Sequence, residues 1–172
     1  MLEIHYYFTP ILDHLERFDQ NDWHLHPIVT LPAAKELRDV EDLPKNVASL
    51  NACHDRLQKI SLDYLTVTLY GRKQGRLFLL LLQDCLSEIT VLEYTDQIRQ
   101  KILKKLNIAT SDFMEYRQFA KRHLSLDLKD FRKNDFHASP SSLVITDKEC
   151  LHMEKCSHLA LQDYLNQIEK TA

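Results

Sequence analysis

Two glycines and five prolines in 172 residues leave few places where the chain can turn sharply. A loop-rich sandwich needs turn residues every few positions, and a disordered chain is rich in proline and polar residues. Both are therefore excluded, and helices are favoured. Cysteine is also scarce: Cys53, Cys85, Cys150 and Cys156 are too few for a disulfide framework, and no two form a C-x-x-C pair. The N-terminus MLEIHYYFTP has no basic stretch ahead of a long apolar run, so the expectation is a cytoplasmic protein with reduced thiols. Long apolar runs are missing too. L77-F-L-L-L-L82 is the most apolar stretch, far short of the roughly 20 residues of a spanning helix, and no membrane segment is expected. Finally, there is no Gly-rich phosphate loop, no H-E-x-x-H and no G-x-S-x-G. Neither an enzyme nor a cofactor is expected on these signatures.

What the chain does contain is enough apolar material, 44% of its residues, for one domain with a sizeable core. The reading is a single mainly helical domain over 1–172, a helical bundle, with a subdivision into 1–94 and 95–172 as a variant. The net charge is −3 but unevenly spread: residues 1–66 carry six Lys/Arg against eleven Asp/Glu, and residues 97–137 carry ten against five. The basic part suits phosphates, or else forms a solvated surface facing the acidic half.

Along the chain, LEIHYYF alternates well enough for a short strand, and Thr9-Pro10 then suits a helix start, giving a helix from about Pro10 to Phe18. N21-D-W-H-L-H-P27 and I28-V-T-L-P32 read as a connection, because proline biases the residue before it towards extended backbone. In an extended segment the rings of His24 and His26 point the same way, as some zinc ligands do, but no third ligand is evident nearby. Helices are predicted over Ala33 to Asp42 and Lys45 to Asp63. The stretch 65–82 allows a helical hairpin, with Gly71 ending one helix and Gly75 preceding the next, or a small β-hairpin that would make the fold α+β. The helical hairpin is preferred, because the leucines do not alternate and the run continues unpunctuated to Leu92.

From Asp96 a helix ends near Leu106, and another starts at Thr110 or Ser111. That is the outline of a helix-turn-helix, with Ile102, Leu106, Ile108, Phe113 and Tyr116 at its apolar positions and Asn107 in the left-handed turn. On this reading Ser111, Gln118 and Arg122 reach base edges. Lys104, Lys105, Arg117 and Lys121 approach phosphates, and Arg132 and Lys133 extend the basic surface. F113-M-E-Y-R117, L126-D-L-K-D-F-R132, Thr146 and Q162-D-Y-L165 resemble the motif order of the RteC family of helical regulators, over about residues 113–165. That resemblance implies transcriptional control through a helix-turn-helix and no enzymatic chemistry. The expected function is thus a transcription regulator binding double-stranded DNA. The alternative is a helical module that binds a protein partner. R117-Q-F-A-K-R-H123 is also similar to the loose R-x(4–6)-H signature of HEPN-type ribonucleases, which would give His123 a proton-transfer role.

The last dense stretch, C150-L-H-M-E-K-C-S-H158, gathers ligand-type residues. A helix from about Asp147 to Ile168 would put Cys150 and Met153 in the core, with Ala160, Leu161, Tyr164, Leu165 and Ile168. It would leave His152/Cys156 and Glu154/His158 as i,i+4 pairs. No face collects three ligands, so no metal site is expected.

Overall fold

The computed structural model describes residues 2–14 and 23–171. Its elements are β1 (Leu2–Phe8), β2 (Trp23–Pro27), α1 (Leu31–Val40), α2 (Val47–Thr68), α3 (Arg72–Leu86), a 3-10 turn at Val91–Glu93, α4 (Asp96–Lys105), α5 (Thr110–Lys133), β3 (Ser141–Thr146), β4 (Cys150–Glu154) and α6 (His158–Thr171). The strands form one mixed sheet in the order β2-β1-β3-β4. β1 runs parallel to β2 and antiparallel to β3, and β3 pairs antiparallel with β4. The fold is therefore α+β, which corrects the expectation of a mainly helical bundle. The sheet draws β1 and β2 from one side of residue 94 and β3 and β4 from the other.

Three of the four strands escape a reading by periodicity. β2 is WHLHP, which ends on a proline because the sheet's edge does not require that residue's N–H. β3 and β4 form a hairpin joined across the turn at Thr146 and Glu149, where Thr146 N–H donates to the Glu149 carbonyl at 2.9 Å. The helix expected from Asp147 therefore begins only at His158. Cys150 is exposed on β4 instead of lying in the core, and Cys156 is buried beyond the strand's end. His152 and Cys156 thus do not share a helical face, nor do Glu154 and His158. The helix expected over Pro10 to Phe18 is a turn at 10–13, and its second half lies outside the described residues.

The helical parts follow local chemistry. Thr30 caps α1 through Ala33 N–H at 3.3 Å, and Asn46 caps α2 through Ser49 N–H at 2.8 Å. α2 buries Cys53, Leu57, Ile60, Tyr64 and Val67 at helical spacing. The segment 65–82 is helix, turn and helix, which removes the β-hairpin alternative; α3 stops at Leu86, short of Leu92. Gly71 opens α3 with φ 127°, a conformation L side chains rarely adopt. Gly75 sits inside α3, where a Cβ would come within 2.5 Å of Thr68 Oγ1 and 3.2 Å of Tyr64 Cε2, so α2 and α3 touch at this point.

The strands turn alternate residues to two faces. Ile4, Tyr6, Phe8 and Trp23 join Val144, Leu57, Ile60, Tyr64, Phe78 and Leu161 in the main core. On the other face Tyr7 and Leu143 pack with Ile28, Phe131 and Phe136 under the C-terminal half of α5. A buried carboxylate ties the helices together. Asp63 on α2 accepts from Tyr94 Oη at 2.9 Å and Arg117 Nε at 2.8 Å, and lies 3.6 Å from the Arg99 guanidinium. Burial and the Asp63 charge push the Tyr94 hydroxyl well above its ordinary range.

Candidate functional site

Residues 96–122 adopt the predicted helix, turn and helix, with Asn107 at φ 57° in the left-handed turn. Ile102, Leu106, Ile108 and Phe113 are buried, whereas Tyr116 is exposed. α4 rests on α3 and α5 on α2. Lys104, Lys105, Ser111, Gln118, Lys121, Arg122, Arg132 and Lys133 are exposed, and Arg117 is half-buried on Asp63. From Ser111 to Lys133 the candidates extend along about 33 Å of helix at 1.5 Å per residue. The structure brings Arg117 to an internal carboxylate and His123 to a different wall, so the two do not face one substrate position.

A different set of residues converges on the second sheet face. β1 presents Glu3, His5 and Tyr7, and β2, in register and parallel, presents His24 beside His5 and His26 beside Tyr7. The imidazoles stack: His5 lies 5.0 Å from His24 and 5.1 Å from His26, at interplanar angles of 20° and 16°. Tyr7 continues the stack 4.9 Å from His26. Hydrogen bonds run along the row. His5 Nε2 donates to Glu3 Oε1 at 3.0 Å, His5 Nδ1 meets His26 Nε2 at 2.9 Å, and His26 Nδ1 donates to Asp127 Oδ1 of α5 at 2.8 Å. Tyr7 Oη donates to Asp130, three residues further along the same helix. Among the described residues no three His, Cys, Asp or Glu side chains are placed to share a metal ion.

His24, His26 and Asp127 of this row line a cavity of about 370 Å³. His123 of α5 and Trp23 and Leu25 of β2 line it with them. Tyr64, Leu65 and Thr68 of α2 and Arg72 and Arg76 of α3 complete its lining. The two arginines are one helical turn apart, which sets their side chains on one face. Burial lowers the proton affinity of His24, and the neighbouring charges of His5 and Arg72 lower it further. A neutral imidazole beside two guanidiniums can accept a hydrogen bond or a proton, while the guanidiniums hold an anion. His123 also lines a second hollow with Leu69, Tyr70, Tyr116 and Phe119.

Beyond the end of β1 lies a smaller polar cluster. Thr9 N–H donates to Asp13 Oδ2 at 2.6 Å, and Thr9 Oγ1 is 2.8 Å from Ser139 Oγ, next to the cis Ser139-Pro140 bond. Burial pushes the Asp13 carboxyl up to about 6.

The sequence signals His24 and His26 as a same-side pair. It gives no signal for His5, Asp127, Arg72 or Arg76, whose convergence depends on strand register and helix packing. Scans against family models and curated proteins find no match. Among solved structures the chain is similar to the crystal structure of a "putative protein disulfide isomerase" from Nitrosomonas europaea, with a TM-score of 0.62, 13% identity, and 99% of this chain and 98% of that one covered. The likeness shows a thioredoxin-like α+β fold and, with the sheet, overturns the all-helical reading.

Proposed function

We propose that this protein binds a small oxyanion in the cavity between α3 and the edge strand β2. The observation that carries this reading is the convergence of Arg72, Arg76, His24, His26 and His123 on one concave space of about 370 Å³. A space of that size holds a small ligand, and convergent polar groups in a cleft mark a binding site more often than a scattered surface does. Two guanidiniums on one helix face suit the spaced oxygens of a phosphate or similar anion.

Disulfide exchange, suggested by the name of the structural neighbour, is not carried over. That chemistry needs an attacking thiolate and a second sulfur within reach. This chain has no C-x-x-C, its four cysteines are free, and burial pushes the Cys53 and Cys156 thiols up, away from the reactive thiolate. A shared fold hosts unrelated chemistries, and the site decides between them.

The test is calorimetric titration at low salt with inorganic phosphate and with sulfate, on the wild type and on Arg72→Gln/Arg76→Gln. Saturable binding that weakens by about tenfold or more in the double variant is expected, since each charge-assisted hydrogen bond contributes roughly 1.5–3 kcal/mol. Absence of saturable binding, or equal affinity in the double variant, would sink the reading.

A further inference from the structure

The row from Glu3 to Asp127 poses a question of proton count. Three contacts stand in series at 3.0, 2.9 and 2.8 Å, and each needs one proton to be a hydrogen bond. Ionised carboxylates bring none, and each neutral imidazole brings one. Two protons cannot fill three contacts. If both rings turn their N–H groups to the carboxylates, two bare nitrogens face each other at 2.9 Å, lone pair against lone pair. If one N–H lies between the rings, one carboxylate faces a bare nitrogen.

We infer that Glu3, His5, His26 and Asp127 form one unit that holds three protons, and that an oxyanion enters the adjacent cavity together with the third of them. The second half rests on the anion-binding reading; the first does not. With two protons the four groups carry a formal charge of −2, and with three they carry −1. The third proton makes the wall beside Arg72 and Arg76 less negative by one charge. Anion and proton therefore stabilise each other, and the coupling is reciprocal. The occupant class is a small dianionic oxyanion of the phosphate-monoester or sulfate kind. His5, whose ring is packed behind His24 and His26 rather than lining the cavity, is the positioning residue that makes the third proton necessary.

Several ionisable groups surround this unit. Tyr7 of β1 stacks on His26 and bonds Asp130 of α5. His24 of β2 lies 3.8 Å from Glu3. Arg72, Arg76 and His123 stand across the cavity, and on the same sheet face Cys150 and His152 of β4 lie beyond Ile145 and Leu143 of β3. None of them is an oxygen or nitrogen bridging the three contacts, so the proton count belongs to the four residues alone.

Glu3→Gln separates this inference from a merely structural role. The glutamine amide donates to His5 Nε2, so both imidazole N–H groups can point towards Asp127 and all three contacts are filled without the extra proton. Glu3 is 37% exposed at its side chain and does not line the cavity, so the variant keeps the fold. Nitrogen-detected NMR of the histidine rings near pH 7 is expected to show three ring protons on His5 and His26 in the wild type and two in Glu3→Gln. Two neutral wild-type rings would overturn the three-proton unit, whether or not any anion binds. Sulfate keeps its charge across this range, and its affinity is expected to fall several-fold in the wild type between about pH 6 and about pH 8.5, where imidazoles titrate. The fall should be smaller in Glu3→Gln. Equal slopes in the two proteins would overturn the coupling. Three ring protons with no sulfate binding would overturn the anion site and the coupling but leave the proton unit standing.

Discussion

The two faces of the sheet are built from the same strands, residue by residue, and they do different work. On one face Tyr6 and Phe8 stack within 6.2 Å, Phe8 meets Tyr64 edge-on at 5.7 Å, and all are buried in the main core. On the other, one residue along, His5 and Tyr7 share their face with His24 and His26, and Tyr7 and His26 meet carboxylates of α5. The first face gains stability from area removed from water. The second places groups that must each find a hydrogen-bond partner, and their buried pairings specify geometry more than they add stability.

Substitutions on the two faces should separate accordingly. The largest effect is expected for Phe8→Ala, which opens a cavity among aromatic neighbours. Chemical denaturation should record a loss of about 3–5 kcal/mol, and a loss below about 1 kcal/mol would mean that the apolar face is not the main source of stability. Tyr7→Phe, on the opposite face, keeps the ring in its stack but removes the donor to Asp130, with an expected loss of about 1–3 kcal/mol. Asp13, where both faces give way to the turn after β1, should show itself through pH. Its folded carboxyl titrates at about 6 against 3.8 unfolded, so the folded chain binds the proton more tightly. Stability then falls as pH rises between those values, and the full deficit persists above. Asp13→Asn is expected to unfold at a higher temperature than the wild type at pH 7, with the difference fading towards about pH 4. A difference that stays constant with pH would show that the carboxyl's charge is not the cause. The smallest change in stability, within about 0.5 kcal/mol, is expected for His24→Gln at the sheet's edge. Sulfate binding should nevertheless weaken in that variant, and unaltered binding would remove His24 from the site.

Much of the helical half was legible because helix signals are local. Thr30 and Asn46 cap where a side-chain oxygen is available, Asn107 turns left-handed between α4 and α5, and α2 carries its apolar stripe in the order of its residues. The sheet was less legible. β1 alternates in sequence, but β2 is five residues ending on proline, β3 is six residues whose apolar part, Leu143 to Ile145, is an unbroken run, and β4 is five residues that also fit the start of a helix. The site was least legible of all. The same-side placement of His24 and His26 follows from extended backbone, yet His5 reaches His26 across 21 residues and Asp127 reaches it across 101. No local pattern encodes those distances. The basic stretch 97–137 was conspicuous in sequence, but two of its arginines, Arg99 and Arg117, turn inward to Asp63. The exposed remainder is spread along helices, whereas the cavity gathers two guanidiniums and three imidazoles at one place.

The order of the strands has a consequence for how the molecule comes into being. β1 lies in the middle of the sheet, and its second neighbour, β3, is more than a hundred residues away along the chain. During synthesis β1 must wait, with the backbone edge that pairs with β3 unfilled, until residue 146 has left the ribosome. At about 5–20 residues per second that interval is several seconds or more, time in which the nascent chain carries an open strand edge that can pair with other chains unless it is shielded.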